Sequence, residues 1–171
     1  MLAMGPTNDS AANQNKTEKR TIEALDAVFA LLHQNSCALI QEVTPRNLYR
    51  VPGATVPAGQ VAVASVGESI LRSAAAVEQT FGGLTANLWD DPFEWTLPEA
   101  LATRELVIEY LREVEGTRRH AFLSFSEDAD LLKKVAIPSG DTEYLLTLLL
   151  NTLVRASEYH GRALAILKML S

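Results

Sequence analysis

Residues 139–170 read SGDTEYLLTLLLNTLVRASEYHGRALAILKML. The stretch holds no proline and, beyond Gly140, a single glycine at position 161, so no residue compels a helix to stop before the C-terminus. Leu145, Leu146, Leu149, Leu150, Leu153, Ala156, His160, Ala163, Leu164 and Leu167 recur at helical spacing. They make one broad apolar face interrupted by one histidine. Ser139 or Asp141 is predicted to cap the first free amides, Asp141 and Glu143 bring negative charge to the positive end of the helix dipole, and Lys168 sits near the other end. A helix of about thirty residues spans roughly 45 Å. It cannot bury such a face against one short element, so it needs partner helices of similar length.

Those partners lie upstream. From residue 17 onward Ile22, Leu25, Val28, Phe29, Leu32, Ser36, Leu39, Ile40 and Val43 line one face, and Thr44-Pro45 ends the run because a residue before proline disfavours helix. His33 falls at the edge of that stripe. Ser65 and Glu68 stand in capping-box spacing, and Val66, Ile70, Ser73, Ala74, Val77 and Phe81 face inward after them. The small residues at 73–76 let a neighbouring helix approach closely, and Gly82-Gly83 is predicted to weaken or end the second helix. Thr96-Leu97-Pro98-Glu99 gives another capping box, opening a third helix through Leu101, Val107, Ile108, Leu111 and Val114 toward Phe122 or Phe125. His120, beside Arg118 and Arg119, reads as a solvent-facing residue in a polar section.

The predicted fold is therefore all-α: an antiparallel four-helix bundle with long crossover connections, its helices near 17–43, 65–82, 97–124 and 140–170. Residues 47–64 carry Pro52-Gly53 and Pro57-Ala58-Gly59 and read as a loop. The acidic, aromatic connector around Trp89, Asp90, Asp91, Phe93 and Trp95 is predicted to fasten a crossover to the bundle through its rings. Residues 126–138 read as a further connector with a short helical turn. Residues 1–16 form a polar extension without periodic apolar positions, and 17–171 a single domain.

Composition narrows the function. A chain of 171 residues with net charge -6 lacks the clustered Lys and Arg of a nucleic-acid binder. Cys37 is the only cysteine, which excludes an intramolecular disulfide and a cysteine-based zinc site. There is no apolar run long enough to span a membrane and no secretory signal, so no membrane partner is expected and the cytoplasm is the expected location. The sequence has no glycine-rich phosphate loop, no G-x-S-x-G elbow and no H-E-x-x-H pair. Glu68, Glu78 and Glu158 do not make a di-metal set, because none is followed by histidine at the third position.

SVGESILRSAAAVE in the second helix and LLNTLVRASEYHGRALAILKML in the last together resemble the DinB/YfiT-like superfamily of four-helix bundles. The resemblance covers most of residues 17–171. It implies a divalent metal on three histidines, one in a second-helix motif like S-I-G-E-H-L-x-H and two in a last-helix motif like H-x-x-x-H-R-G-Q. On this sequence those ligands fall at Arg72, Ala156 and His160, of which His160 alone is a histidine. A catalytic metal needs three protein ligands, and arginine has no lone pair to offer. The expectation is therefore a member without a cofactor, acting as a binding or structural protein. Its interhelical pocket would draw on Arg72, Ala156, His160, Thr152 and Glu78, with the Arg72 guanidinium binding a small-molecule anionic ligand; the other reading of Arg72 is a surface pair with Glu68. The alternative is a metal-dependent hydrolase or thiol transferase of the family type, holding Zn or Ni through substitute ligands such as His120, Glu78 or Glu158. A homodimer is also expected, from the surplus apolar surface of the last helix and from the resemblance.

Overall fold

The apolar faces read from the sequence close on one another in the computed structural model, which describes residues 19–53, 64–92 and 99–171, except that Val28, Leu150 and Leu164, expected on those faces, lie at their outer edges and are exposed. These residues form four long helices: α1 (Arg20–Glu42), α2 (Val66–Ala86), α3 (Arg104–Leu123) and α4 (Leu145–Leu170). A small antiparallel hairpin, β1 (Lys134–Ala136) and β2 (Thr142–Tyr144), lies between α3 and α4. Phe29, Phe81 and Phe122 bring three helices together, with ring centroids 5.3 to 6.0 Å apart. Ile40, Ile70, Leu71, Leu149 and Ile166 complete the buried centre.

Cross-helix contacts give the directions. Arg118 near the end of α3 meets Asp26 near the start of α1, while Arg104 at the start of α3 reaches the Val43 carbonyl past the end of α1 at 3.2 Å. α1 and α3 are therefore antiparallel. On α2 and α4, Ser73 pairs with Ala156 and Thr80 with Thr152, again antiparallel. Glu78 meets Tyr110, and Gly82, Thr85 and Ala86 border one groove with Thr117 and His120, so α2 and α3 run the same way. Not every neighbour is antiparallel, and the parallel pair is what makes the connection from 87 to 103 long: it must return the chain to the end where α2 began.

Several boundaries differ from expectation for local reasons. α2 continues through Gly82-Gly83 to Ala86 and stops at Asn87, whose φ of 56° is left-handed. A Cβ on Gly83 would fall inside the Trp89 ring, so that glycine serves the seating of the tryptophan and not the helix end. Gln79 Nε2 donates to the Trp89 main-chain carbonyl at 2.8 Å, so a backbone hydrogen bond fastens the connector beside the seated Trp89 ring; Phe93 and Trp95 lie outside the described residues. Of the Ser65 and Glu68 box, one half forms: the Ser65 hydroxyl accepts from the Glu68 amide at 3.1 Å, while the Glu68 carboxylate turns to Arg72. α3 begins at Arg104, capped by Thr103. The expected cap at Thr96 to Pro98 lies outside the described residues, as do the extension 1–16 and most of the loop after Pro52.

α4 starts at Leu145 and not near 140, because residues 142–144 are paired with 134–136 and Gly140 turns the hairpin at φ 86°. Ser139 and Asp141 bond to each other across that turn and do not cap the helix. The start of α1 is capped from far away: the Asp128 carboxylate accepts from the amides of Thr21 and Ile22 at 2.9 and 3.0 Å.

Leu149 is fully buried and Val154, on the same helix, is 59 % exposed. Leu149→Ala should cost about 2–5 kcal/mol, read as a lower urea midpoint at unchanged slope. Val154→Ala should stay within about 0.5 kcal/mol of the native chain. Equal midpoints for the two variants would contradict the placement of the inward face.

Candidate functional site

The small residues of α2 let its backbone lie close to α4. The Ser73 hydroxyl donates to the main-chain carbonyl of Ala156 at 2.8 Å. Thr152 donates to the Leu148 carbonyl at 2.8 Å, and its oxygen lies 2.7 Å from that of Thr80. Since the Thr152 proton is already committed, Thr80 donates and Thr152 accepts. Ala156 and Thr152 are thus buried members of the α2–α4 seam. One turn beyond Ala156, His160 points toward α1, where its Nδ1 is 3.2 Å from the Ser36 hydroxyl.

Arg72 belongs to a different group of side chains. Its Nε pairs with Glu68 Oε1 at 3.1 Å, one turn back, and it lines a cavity of 50 Å³ with Gln79, Asp91, Arg155 and Tyr159. His160 is not among the described residues of that lining, so Arg72 and His160 do not share it. Ser73, the next residue after Arg72, is the one that faces Ala156. Arg155 was not singled out by the sequence, yet it reaches across the seam: its Nη2 donates to Gln79 Oε1 at 2.9 Å and to the Ala76 carbonyl at 3.4 Å. A second cavity, of 270 Å³, shares Gln79 and Arg155 and is walled by Trp89, Ile137, Pro138 and Leu148.

A divalent metal does not fit the three positions that the resemblance designates. Arg72 carries a cation with no lone pair, Ala156 carries a methyl group, and the one imidazole, of His160, is engaged with Ser36. Among the described residues no group of three or more His, Cys, Asp or Glu side chains is placed to hold an ion. Of the substitute ligands considered, Glu78 and His120 border a common groove, whereas Glu158 is exposed on α4. Glu78 Oε2 accepts from the Tyr110 hydroxyl at 2.5 Å. Burial raises the Glu78 pKa, the Tyr110 bond lowers it and Glu113 raises it again, with a net upward shift.

His120 is exposed, as its polar surroundings indicated, but Arg118 two residues earlier is sealed in the core at 2 % exposure. Its Nε and Nη2 meet the two carboxylate oxygens of Glu115 at 2.7 Å each, Nη1 bonds to Asp26 of α1, and its guanidinium lies 5.2 Å from the Phe122 ring. Burial works against the charge, and the two carboxylates more than offset it. The sequence signal was the Glu115 and Arg118 spacing, which places the pair on one helical face.

His33 and Cys37 lie one turn apart on α1, with Sγ 3.7 Å from Nε2. Burial pushes the thiol up, which makes it a poor nucleophile near neutrality. Burial also pushes both His33 and His160 below the ordinary imidazole value of 6.5. Below about pH 6.5 the unfolded chain takes up protons at these two residues that the folded chain refuses, so stability should fall as pH falls. Melting temperature should drop between about pH 7.5 and about pH 5.5, and a His33→Asn/His160→Asn variant should show a shallower drop. Parallel profiles for the two proteins would contradict this assignment.

No protein-family model and no curated protein matches the sequence. The structure is similar to a crystal structure from Exiguobacterium sibiricum described as that of a candidate member of the DinB family, with a TM-score of 0.60 and 18 % identity over 87 % of this chain and 90 % of that one. At that identity the likeness is one of fold. It agrees with the resemblance carried by the second and last helices, and the chain has the DinB-like, all-α four-helix fold.

Proposed function

We propose that this chain is a binding protein of DinB-like fold that takes a small organic monoanion between α2 and α4 and works without a resident metal. The observation that carries this reading is the convergence of Arg72 and Arg155, from facing helices, on one cavity. Among the described residues Arg155 is hydrogen-bonded to neutral acceptors and has no carboxylate within ion-pair distance, so its charge is available. The 50 Å³ of the cavity corresponds to about four water positions, the size of a carboxylate head group. Glu68 and Asp91 beside it temper the positive field and favour a single negative charge over a dianion. The adjoining 270 Å³ cavity, with Trp89, Ile137 and Pro138 in its wall, would take an apolar body.

In this reading the hydrolase or thiol-transferase chemistry implied by the resemblance has no metal to act through. The net charge of -6 speaks against a nucleic-acid partner, and no described helix is long and apolar enough to cross a membrane. A cytoplasmic homodimer belongs to the same proposal; exposed Val28 and Leu31 on α1 and Leu150, Val154 and Leu164 on α4 supply apolar surface for a second copy.

Benzoate and its uncharged counterpart benzamide test the site. Benzoate should raise the melting temperature in proportion to the logarithm of its concentration, and benzamide should not. Arg155→Gln should weaken benzoate binding about tenfold, the scale of one charge-assisted hydrogen bond. Equal responses to the two compounds, or an unaffected Arg155→Gln protein, would overturn the proposal.

A further inference from the structure

On the other edge of α2, Glu78, Gly82 and Thr85 recur at helical spacing and face α3, away from the arginine cavity. Small side chains on both helices, among them Gly82, Ala86 and Thr117, leave a groove of 520 Å³ between them. That volume lies in the range of small-molecule sites. Glu78 stands in its wall, held by the Tyr110 hydroxyl through Oε2. Its Oε1 accepts no hydrogen bond from the described residues, and no buried side-chain oxygen among them lacks a partner, so Oε1 of this groove-lining residue is accessible to solvent. Asp90 adds a second carboxylate at the rim, and no described lysine or arginine lines the space. Leu88, largely exposed, and Pro92 provide an apolar wall.

From this arrangement we infer a second binding site, for a small organic cation: a primary amine whose ammonium pairs with Glu78 Oε1 while its apolar body lies along Leu88 and Pro92. The charge in the groove is carboxylate charge, with His120 the one described basic side chain on its border, so the field selects against anions and for ammonium. Glu78 is costly to ionise where it sits, being half-buried and near Glu113, and an incoming cation would relieve that cost. A metal ion is not the occupant, since no described group of three carboxylates or imidazoles converges there. This inference does not depend on the anion site, which lies toward α4 and uses other charges.

Calorimetric titration with phenethylamine and with phenethyl alcohol, its uncharged counterpart, tests the inference on the full chain. The amine should bind at least about tenfold more tightly than the alcohol, the difference expected of a charge-assisted hydrogen bond. Glu78→Gln, which keeps an acceptor for Tyr110, should remove that preference and leave alcohol binding unchanged. Asp90→Asn, at an exposed connector position that cannot disturb the core, should weaken the amine severalfold, and Arg155→Gln should leave it untouched. Amine binding no better than alcohol, including binding by neither at millimolar concentration, would overturn the inference. So would full amine affinity in both carboxylate variants.

Discussion

The Ser73 hydroxyl reaches the backbone carbonyl of Ala156, and it does so because α2 and α4 lie almost backbone to backbone. Ser73, Ala76 and Thr80 on α2 have no bulk to hold the helices apart, and Thr152 and Ala156 answer them from α4. Short side chains lose little rotamer freedom on burial, so the close packing is entropically inexpensive, and the hydroxyls that enter it are hydrogen-bonded. The shared Thr80 and Thr152 hydroxyls fix the sliding register of the two helices, since a shift of one turn would leave buried oxygens without partners.

The placement of both proposed binding sites follows from how that seam rotates α2. With Ser73, Ala76 and Thr80 turned toward α4, the flanking positions 72 and 79 come to the seam's edge beside Arg155 and Tyr159, and positions 78, 82 and 85 turn to α3. One helix thus divides a cavity lined by Arg72, Arg155 and Asp91 from a groove bordered by Glu78, Asp90 and His120. The buried Arg118 stands apart from both. Clamped by Glu115 and Asp26 and set against Phe122, it ties α3 to α1, and losing one carboxylate would leave a desolvated charge.

Where the sequence was legible, periodicity and short-range chemistry made it so. The leucines of α4, the Ser65 cap and the Glu68 and Arg72 pair all act within a turn or two of their own positions. What it concealed depends on distant chain. Residues 142–144 become a strand only because residues 134–136 lie alongside, and three residues are too few to show alternation. Asp128 caps a helix a hundred residues earlier in the chain. Arg118 and Arg155 look like members of polar faces until the opposing helices are in place. For the resemblance, a short degenerate motif leaves the helix rotation open by one residue, or about 100°; Arg72 and Ser73 differ by that much, and it is Ser73 that meets Ala156.

At the positions where the resembled family implies histidine ligands, this chain has a surface-edge guanidinium, a methyl group and an imidazole turned to Ser36. Hydrogen bonds between helices occupy the interior there. The metal content of protein purified without an affinity tag or chelator and then dialysed tests the proposed metal-free function most directly. Zinc and nickel far below one ion per chain are expected; near-stoichiometric metal that survives dialysis would contradict it.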